Sequence, residues 1–219
     1  MLRDAGEPLG FDGGVEPWLS ILPRYAELQR GEADRSEEHL DGHVPDRRLA
    51  KFPALYEDML TRDLPLSRDD FTRLRRFQPG FVGLCSELGA HAVAETIQHD
   101  DLHGANVYRH GGRERILDWG DSCVSHPFLT LFVTFVHLDE IGAGPVGGVL
   151  FQRLRDAYLE PWGRRAELSE TFELAYRLGP FAHLFKELGV FDAIPKEERQ
   201  EFAPDVPALL ADCLHSADR

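Results

Sequence analysis

Residues Gln98–Asn106 read QHDDLHGAN, and twelve residues after Asn106 comes Asp118, within ILDWGD. Nine positions thus hold two histidines, two adjacent aspartates, a glycine and an asparagine. A loop carboxylate and a loop carboxamide brought beside a strand-end carboxylate make an all-oxygen pocket. Such a pocket suits a hard cation such as Mg²⁺, which keeps several waters and bridges phosphates. A separate carboxylate nearby can orient a hydroxyl and take its proton. Phosphoryl transfer from ATP needs this division of labour.

The surrounding elements must bring these groups together. Asn106–Arg109 and Arg113–Trp119 flank His110-Gly111-Gly112, which predicts a β-hairpin ending at Asp118. Ala94–Gln98 alternates like a short strand and leads into the loop. Helical spacing is predicted over Trp18–Gln29, with Pro23 as a kink or restart, and over Leu49–Leu60. Ser67 and Asp70 predict a capped helix Arg68–Phe77, and Phe81, Leu84, Cys85 and Leu88 a separate one ending near Gly89. Residues 31–46 read as a turn or loop. Helices return at Pro127–Leu138, Val149–Leu159, Thr171–Leu188 and Val206–Leu214, with a glycine-rich loop around Gly142 and Gly147. The expected class is α+β, predominantly α-helical.

His99-Asp100-Asp101-Leu102-His103-Gly104-Ala105-Asn106 matches H-x-D-x-x-x-x-N, and Asp118-Trp119-Gly120 matches D-F-G, at the usual separation. These are marks of the protein-kinase-like superfamily. The histidine two residues after Asp101, and Trp119 in place of Phe, resemble the aminoglycoside and choline phosphotransferase family, which phosphorylates small molecules. The similarity runs from about residue 15 to the end and resembles that family's C-terminal lobe. The resemblance implies Asp101 as the catalytic base and His99 as a brace of its loop. It implies Asn106 and Asp118 as magnesium ligands, with ATP as the phosphoryl donor. Leu117 and Tyr108 would form the floor under the adenine, while His103 and Asp121 are expected on the acceptor side. The implied partner is a small acceptor, cationic if acids such as Glu160, Glu167, Glu170, Glu173, Asp139 and Glu140 line its pocket; the alternative for these acids is a solvated face.

Two departures stand out. An N-terminal lobe with a sheet, a glycine-rich loop and a lysine is expected to be absent. Gly10-Phe11-Asp12-Gly13-Gly14 has no flanking strand pair, and the first lysine, Lys51, lies in a helical pattern. Residues 1–15 read instead as a connector resembling the inter-lobe hinge, and 16–219 as the C-lobe-like domain. A truncated frame, a separate N-lobe chain or self-association, and a degenerate non-enzyme are the three explanations. Secondly, Thr130 stands where the family's aspartate braces the catalytic loop, and threonine cannot form the charge-assisted pair.

Other readings bound the function. A net charge of −14 with no basic run gives no nucleic-acid face. No apolar run is long enough to cross a membrane, and no apolar leader segment opens the chain. Three cysteines without a C-x-x-C suggest reduced thiols in a cytoplasmic protein. Asp100 is expected to face solvent or to form a turn, and His39 and His43 to be surface residues. A catalytically silent kinase-like interaction module is the alternative function. A metal phosphohydrolase using His99-Asp100 is a minor one, opposed by the hairpin.

Overall fold

The computed structural model describes residues 6–10, 14–163, 165–195 and 206–218, the side chains of 165–167 excepted. Residues 11–13 of the glycine-rich stretch and the Glu167 side chain therefore lie outside the described residues. The element order is β1 (Glu7–Pro8), α1 (Trp18–Glu32), α2 (Ser36–Asp41), α3 (Phe52–Thr61), α4 (Arg68–Ala90), β2 (Thr96–Gln98), β3 (Val107–His110), β4 (Arg113–Ile116) and β5 (Cys123–Ser125). It continues with α5 (Leu131–Leu138), α6 (Val149–Leu159), α7 (Arg165–Ala193) and α8 (Val206–Ala217).

Helix α1 buries Trp18, Ile21, Leu22, Tyr25, Ala26 and Gln29, one stripe at three- and four-residue spacing. It runs on through Pro23 rather than restarting. The loop expected over 31–46 is partly helical: Arg35 pairs with Glu32 and Glu38, both at 3.0 Å, and the turn leads into α2. These pairs are exposed, so helical periodicity of apolar residues could not announce them.

The two helices expected over 68–89 are one, α4, of 23 residues. Its start is as expected, with Ser67 Oγ accepting the Asp70 N–H at 3.1 Å. Pro79 removes one backbone hydrogen bond. The buried stripe Leu74, Phe81, Leu84, Cys85, Leu88 nevertheless stays in register across it. Phe81 packs on Tyr56 at 4.4 Å between ring centroids and on Phe181 at 5.0 Å, and this aromatic burial holds the helix straight through.

Five strands form two small antiparallel sheets among the described residues. One has the order β1-β3-β4, and the other pairs β2 with β5. The hairpin pairs Val107 with Ile116 and His110 with Arg113. Its two-residue turn, Gly111-Gly112, takes φ of 57° and 76°, the left-handed geometry that matches strand twist. The connector contributes β1, whose Glu7 and Pro8 pair with Arg109 and Tyr108. Helix α5 begins at Leu131, after a turn at 126–130, rather than at Pro127. Helix α7 exceeds the expected Thr171–Leu188 at both ends. Among the described residues no helix is long and apolar enough to cross a membrane.

Candidate active site

The loop 99–106 leaves β2 at a clamped point. Gln29 of α1 donates to Gln98 Oε1 at 2.9 Å, and Thr96 Oγ1 donates to Gln29 O at 2.8 Å. The Tyr25 hydroxyl accepts the His99 N–H at 2.9 Å. The buried His99 ring places Nε2 2.7 Å from Leu117 O. A carbonyl only accepts, so Nε2 carries the proton. Burial, more than any neighbour, lowers the His99 pKa and keeps the ring neutral. With Trp119 packed at 4.9 Å, His99 ties the loop to the hairpin end.

Asp100 does not face solvent. It is 6% exposed, sits at φ 62°, and pairs with Arg47 at 2.6 Å. The left-handed turn swings its carboxylate inward and sends Asp101 to the other side. Arg47 is placed there by strand-like pairing, its N–H donating to Val124 O of β5 at 2.9 Å. The buried Cys123 thiol donates to the same Asp100 carboxylate at 3.7 Å. The Asp100 carboxylate is thus taken by Arg47 and Cys123, and His99 Nε2 by Leu117 O, an arrangement that does not favour the histidine–aspartate metal pair of the phosphohydrolase reading.

Asp101 uses its two oxygens differently. Oδ2 accepts from Asn106 Nδ2 at 3.0 Å and from His103 Nε2 at 3.2 Å. His103 Nδ1 accepts the Ala105 N–H, so the Nε2 proton is the one aimed at Asp101. Burial alone would raise the Asp101 pKa. The His103 hydrogen bond and the charges of Lys186, His103 and His99 outweigh it and hold the carboxyl at about 2.

Asn106 Nδ2 also donates to Asp101 O at 2.9 Å, which leaves Oδ1 as the end able to ligate a cation. Ladder pairing continues past the hairpin, with the Leu117 N–H donating to Asn106 O at 2.9 Å. Asn106 therefore stands opposite Leu117, and Asp118 is the next residue. Asp118 is exposed at φ 59°, and its charge and that of Asp101 both act on the His99 ring. Among the described residues no three His, Cys, Asp or Glu side chains group to hold a metal by themselves. One amide oxygen and one carboxylate suit Mg²⁺, which takes its remaining ligands from water and phosphate. Leu117 also lines a largely apolar pocket of about 490 Å³ with Ile21, Tyr25, Ile116 and Trp119, while Tyr108 is half-buried on β3.

Helix α7 contributes a residue that the motifs did not single out. Lys186 is 3% exposed, and its Nζ lies 2.7 Å from Glu187, 3.2 Å from Asp121 and 3.7 Å from Asp101 Oδ1. Burial would lower its pKa, but the carboxylates raise it and keep it charged. Asp121 is thereby joined to Asp101 through Lys186. Of the acids expected near an acceptor, Asp139, Glu140, Glu160, Glu170 and Glu173 are exposed, and Glu160 lines an open pocket with Asp156 and Arg153. Helix α5 holds the loop from behind. Thr134 Oγ1 donates to Leu102 O at 2.9 Å, and the Gly104 N–H donates to His137 Nε2 at 3.2 Å. Gly104 must be glycine, because a Cβ there would collide with Gly10 O of the connector. The neighbours of Lys186 on the same helix face, Ala182, His183, Gly189 and Val190, form no motif, so the sequence carries no signal for this group.

Residues 12–168 match the phosphotransferase enzyme family, and the chain belongs to it. A solved choline/ethanolamine kinase family protein from Mesorhizobium loti shares the fold, with a TM-score of 0.56 at 18% identity. The match covers 98% of this chain and 70% of that one. No curated protein matches the chain.

Proposed function

We propose that the chain is an ATP-dependent phosphotransferase that moves a γ-phosphoryl group to the hydroxyl of a small molecule. Family membership supports the reaction class. The observation that carries the mechanism is the unequal use of Asp101: Oδ2 is saturated by Asn106 and His103, and Oδ1 is left to face an acceptor.

In this reading Asn106 Oδ1 and Asp118 hold Mg²⁺, which, when bound, offsets the charge of the β- and γ-phosphates. Asp101 orients the acceptor hydroxyl through Oδ1. A carboxylate held near a pKa of about 2 is a weak base. That is adequate where the transition state is loose and the proton leaves late. His99 fixes the loop against Leu117, so the base and the metal ligands keep their spacing. Leu117 and Tyr108 form the floor beneath the adenine. His103 and Asp121 flank the acceptor, the first on Oδ2 of the base and the second on Lys186.

Calorimetry with magnesium-ATP, followed by transfer assays on Asp101→Ala, tests this reading. Binding is expected in both proteins, with turnover reduced about 10³-fold in the variant. Absence of binding at millimolar nucleotide supports the silent interaction module instead, and unchanged turnover in Asp101→Ala removes the mechanism.

A further inference from the structure

A buried ammonium has three N–H donors to place. At Lys186, Glu187 takes one at 2.7 Å and Asp121 a second at 3.2 Å. The third side faces Asp101 Oδ1, at 3.7 Å too far for a hydrogen bond. Oδ1 has no other partner among the described contacts of Asp101, since Asn106 and His103 both use Oδ2. A donor and an acceptor thus face each other across a gap that one oxygen, at about 2.8 Å from each, would bridge. The gap opens on the Asp101 side, whose side chain is 31% exposed, and is closed on the Lys186 side.

We propose that Lys186 is a catalytic residue of the acceptor site: it donates to the oxygen of the acceptor hydroxyl while Asp101 Oδ1 accepts that hydroxyl's hydrogen. The inference rests on the phosphotransferase reading and adds a residue to it. As the acceptor oxygen bonds to the γ-phosphorus, the bond from phosphorus to the oxygen of the nucleoside diphosphate breaks and takes its electron pair with it. The hydroxyl proton passes to Asp101 Oδ1. Through this step the ammonium stays protonated and holds the acceptor oxygen in place, so that the hydroxyl is oriented between Lys186 and Asp101 before the proton leaves. Its anchoring to Glu187 and Asp121 fixes its aim before the acceptor arrives.

The test measures transfer from magnesium-ATP in the parent, Lys186→Met and Lys186→Arg. The acceptors are choline, ethanolamine, homoserine, ribose, kanamycin and water, with nucleotide binding followed by calorimetry on the same preparations. Lys186→Met is expected to lower kcat about 10²-fold, with nucleotide affinity unchanged within about twofold. Lys186→Arg, which keeps a cationic donor, is expected to recover a measurable part of the loss. If Lys186→Met loses its cooperative melt, Lys186→Gln, a neutral donor, carries the same comparison. Parent-like kcat in Lys186→Met or Lys186→Gln overturns the proposal. So does an equal loss in the Met and Arg variants that tracks a matching fall in melting temperature, since that assigns Lys186 to folding alone. A parent that turns over with no acceptor, water included, removes the phosphotransferase reading and this inference with it.

Discussion

Thr134 Oγ1 donates to Leu102 O at 2.9 Å, so the loop 99–106 is held from the first full turn of α5 and not by a charged group at its start. Thr130, 1% exposed, occupies the aspartate position of the family motif. The rigidity that an aspartate there would supply comes instead from Thr134 and from His137, which accepts the Gly104 N–H. Thr134→Val keeps the shape and removes the donor, leaving a buried carbonyl unpaired. The expected cost is about 1–2 kcal/mol in urea unfolding. With the base displaced, kcat should fall roughly ten- to a hundredfold. Unchanged kcat in a destabilised Thr134→Val protein would show that the tie serves the fold alone.

Asp118 holds φ 59° and ψ 61°, a left-handed backbone that asparagine tolerates and alanine resists. Asp118→Asn should therefore melt like the parent while losing magnesium-dependent nucleotide affinity, because only the charge is gone. Asp118→Ala should lose that affinity and also about 1 kcal/mol of stability. Calorimetry and thermal melts on the pair separate ligand loss from backbone strain. Equal melting of the two variants, with nucleotide affinity retained, would sink the assignment.

Much of this site was legible because its chemistry lies in one short stretch. The spacing of Asp101, Asn106 and Asp118 matches the family motifs, and the Gly111-Gly112 turn announces the hairpin that brings Asn106 opposite Leu117. Residues supplied from afar were not legible. Arg47 lies 53 positions before Asp100, and Lys186 lies 65 positions after Asp121, so only folding shows that they meet. For Asp100 the turn-forming expectation holds, at φ 62°, while the solvent-facing one fails because nothing nearby in sequence announces Arg47. Helix α4 was split because Pro79 is a local breaker, whereas the stripe that overrides it spans Leu74 to Leu88.

The Arg47–Asp100 pair offers a cleaner energetic test. Asp100 is buried, and burial pushes its pKa up against the lowering charges of Arg47, Lys186 and His183. Arg47→Met would leave a buried carboxylate without its main partner, at an expected cost of about 3–5 kcal/mol. Asp100→Gly in the same protein removes the orphaned charge and relaxes the positive φ. The double variant should therefore recover most of the loss. A double-mutant cycle by urea unfolding measures the coupling. Additive losses would mean that the pair does not hold the loop.

In addition to Asp101, two separate groups should add acid sensitivity in the same direction. Burial would raise the Glu187 carboxyl, but hydrogen bonds from His183 and Lys186 and their charges hold it at about 2, against 4.5 for an unperturbed glutamate. Between those values the unfolded chain binds the extra proton, so stability rises with pH there. Glu187's contribution is complete above about pH 5 and is lost as pH falls through 2. Burial depresses buried His126 from 6.5 to about 3, so here too the unfolded chain protonates first, and stability declines as pH drops below about 6.5. His126 Nδ1 accepts the Phe128 N–H at 3.3 Å, and an asparagine amide oxygen can take over that contact. Unfolding midpoints in urea from pH 3 to 7 should therefore be flatter across the range in His126→Asn, and flatter only below about pH 4.5 in Glu187→Gln. Curves parallel to the parent in both variants would mean that neither group is coupled to folding. A flattened curve for Glu187→Gln alone would locate the acid sensitivity at the Lys186 cluster beside Asp101.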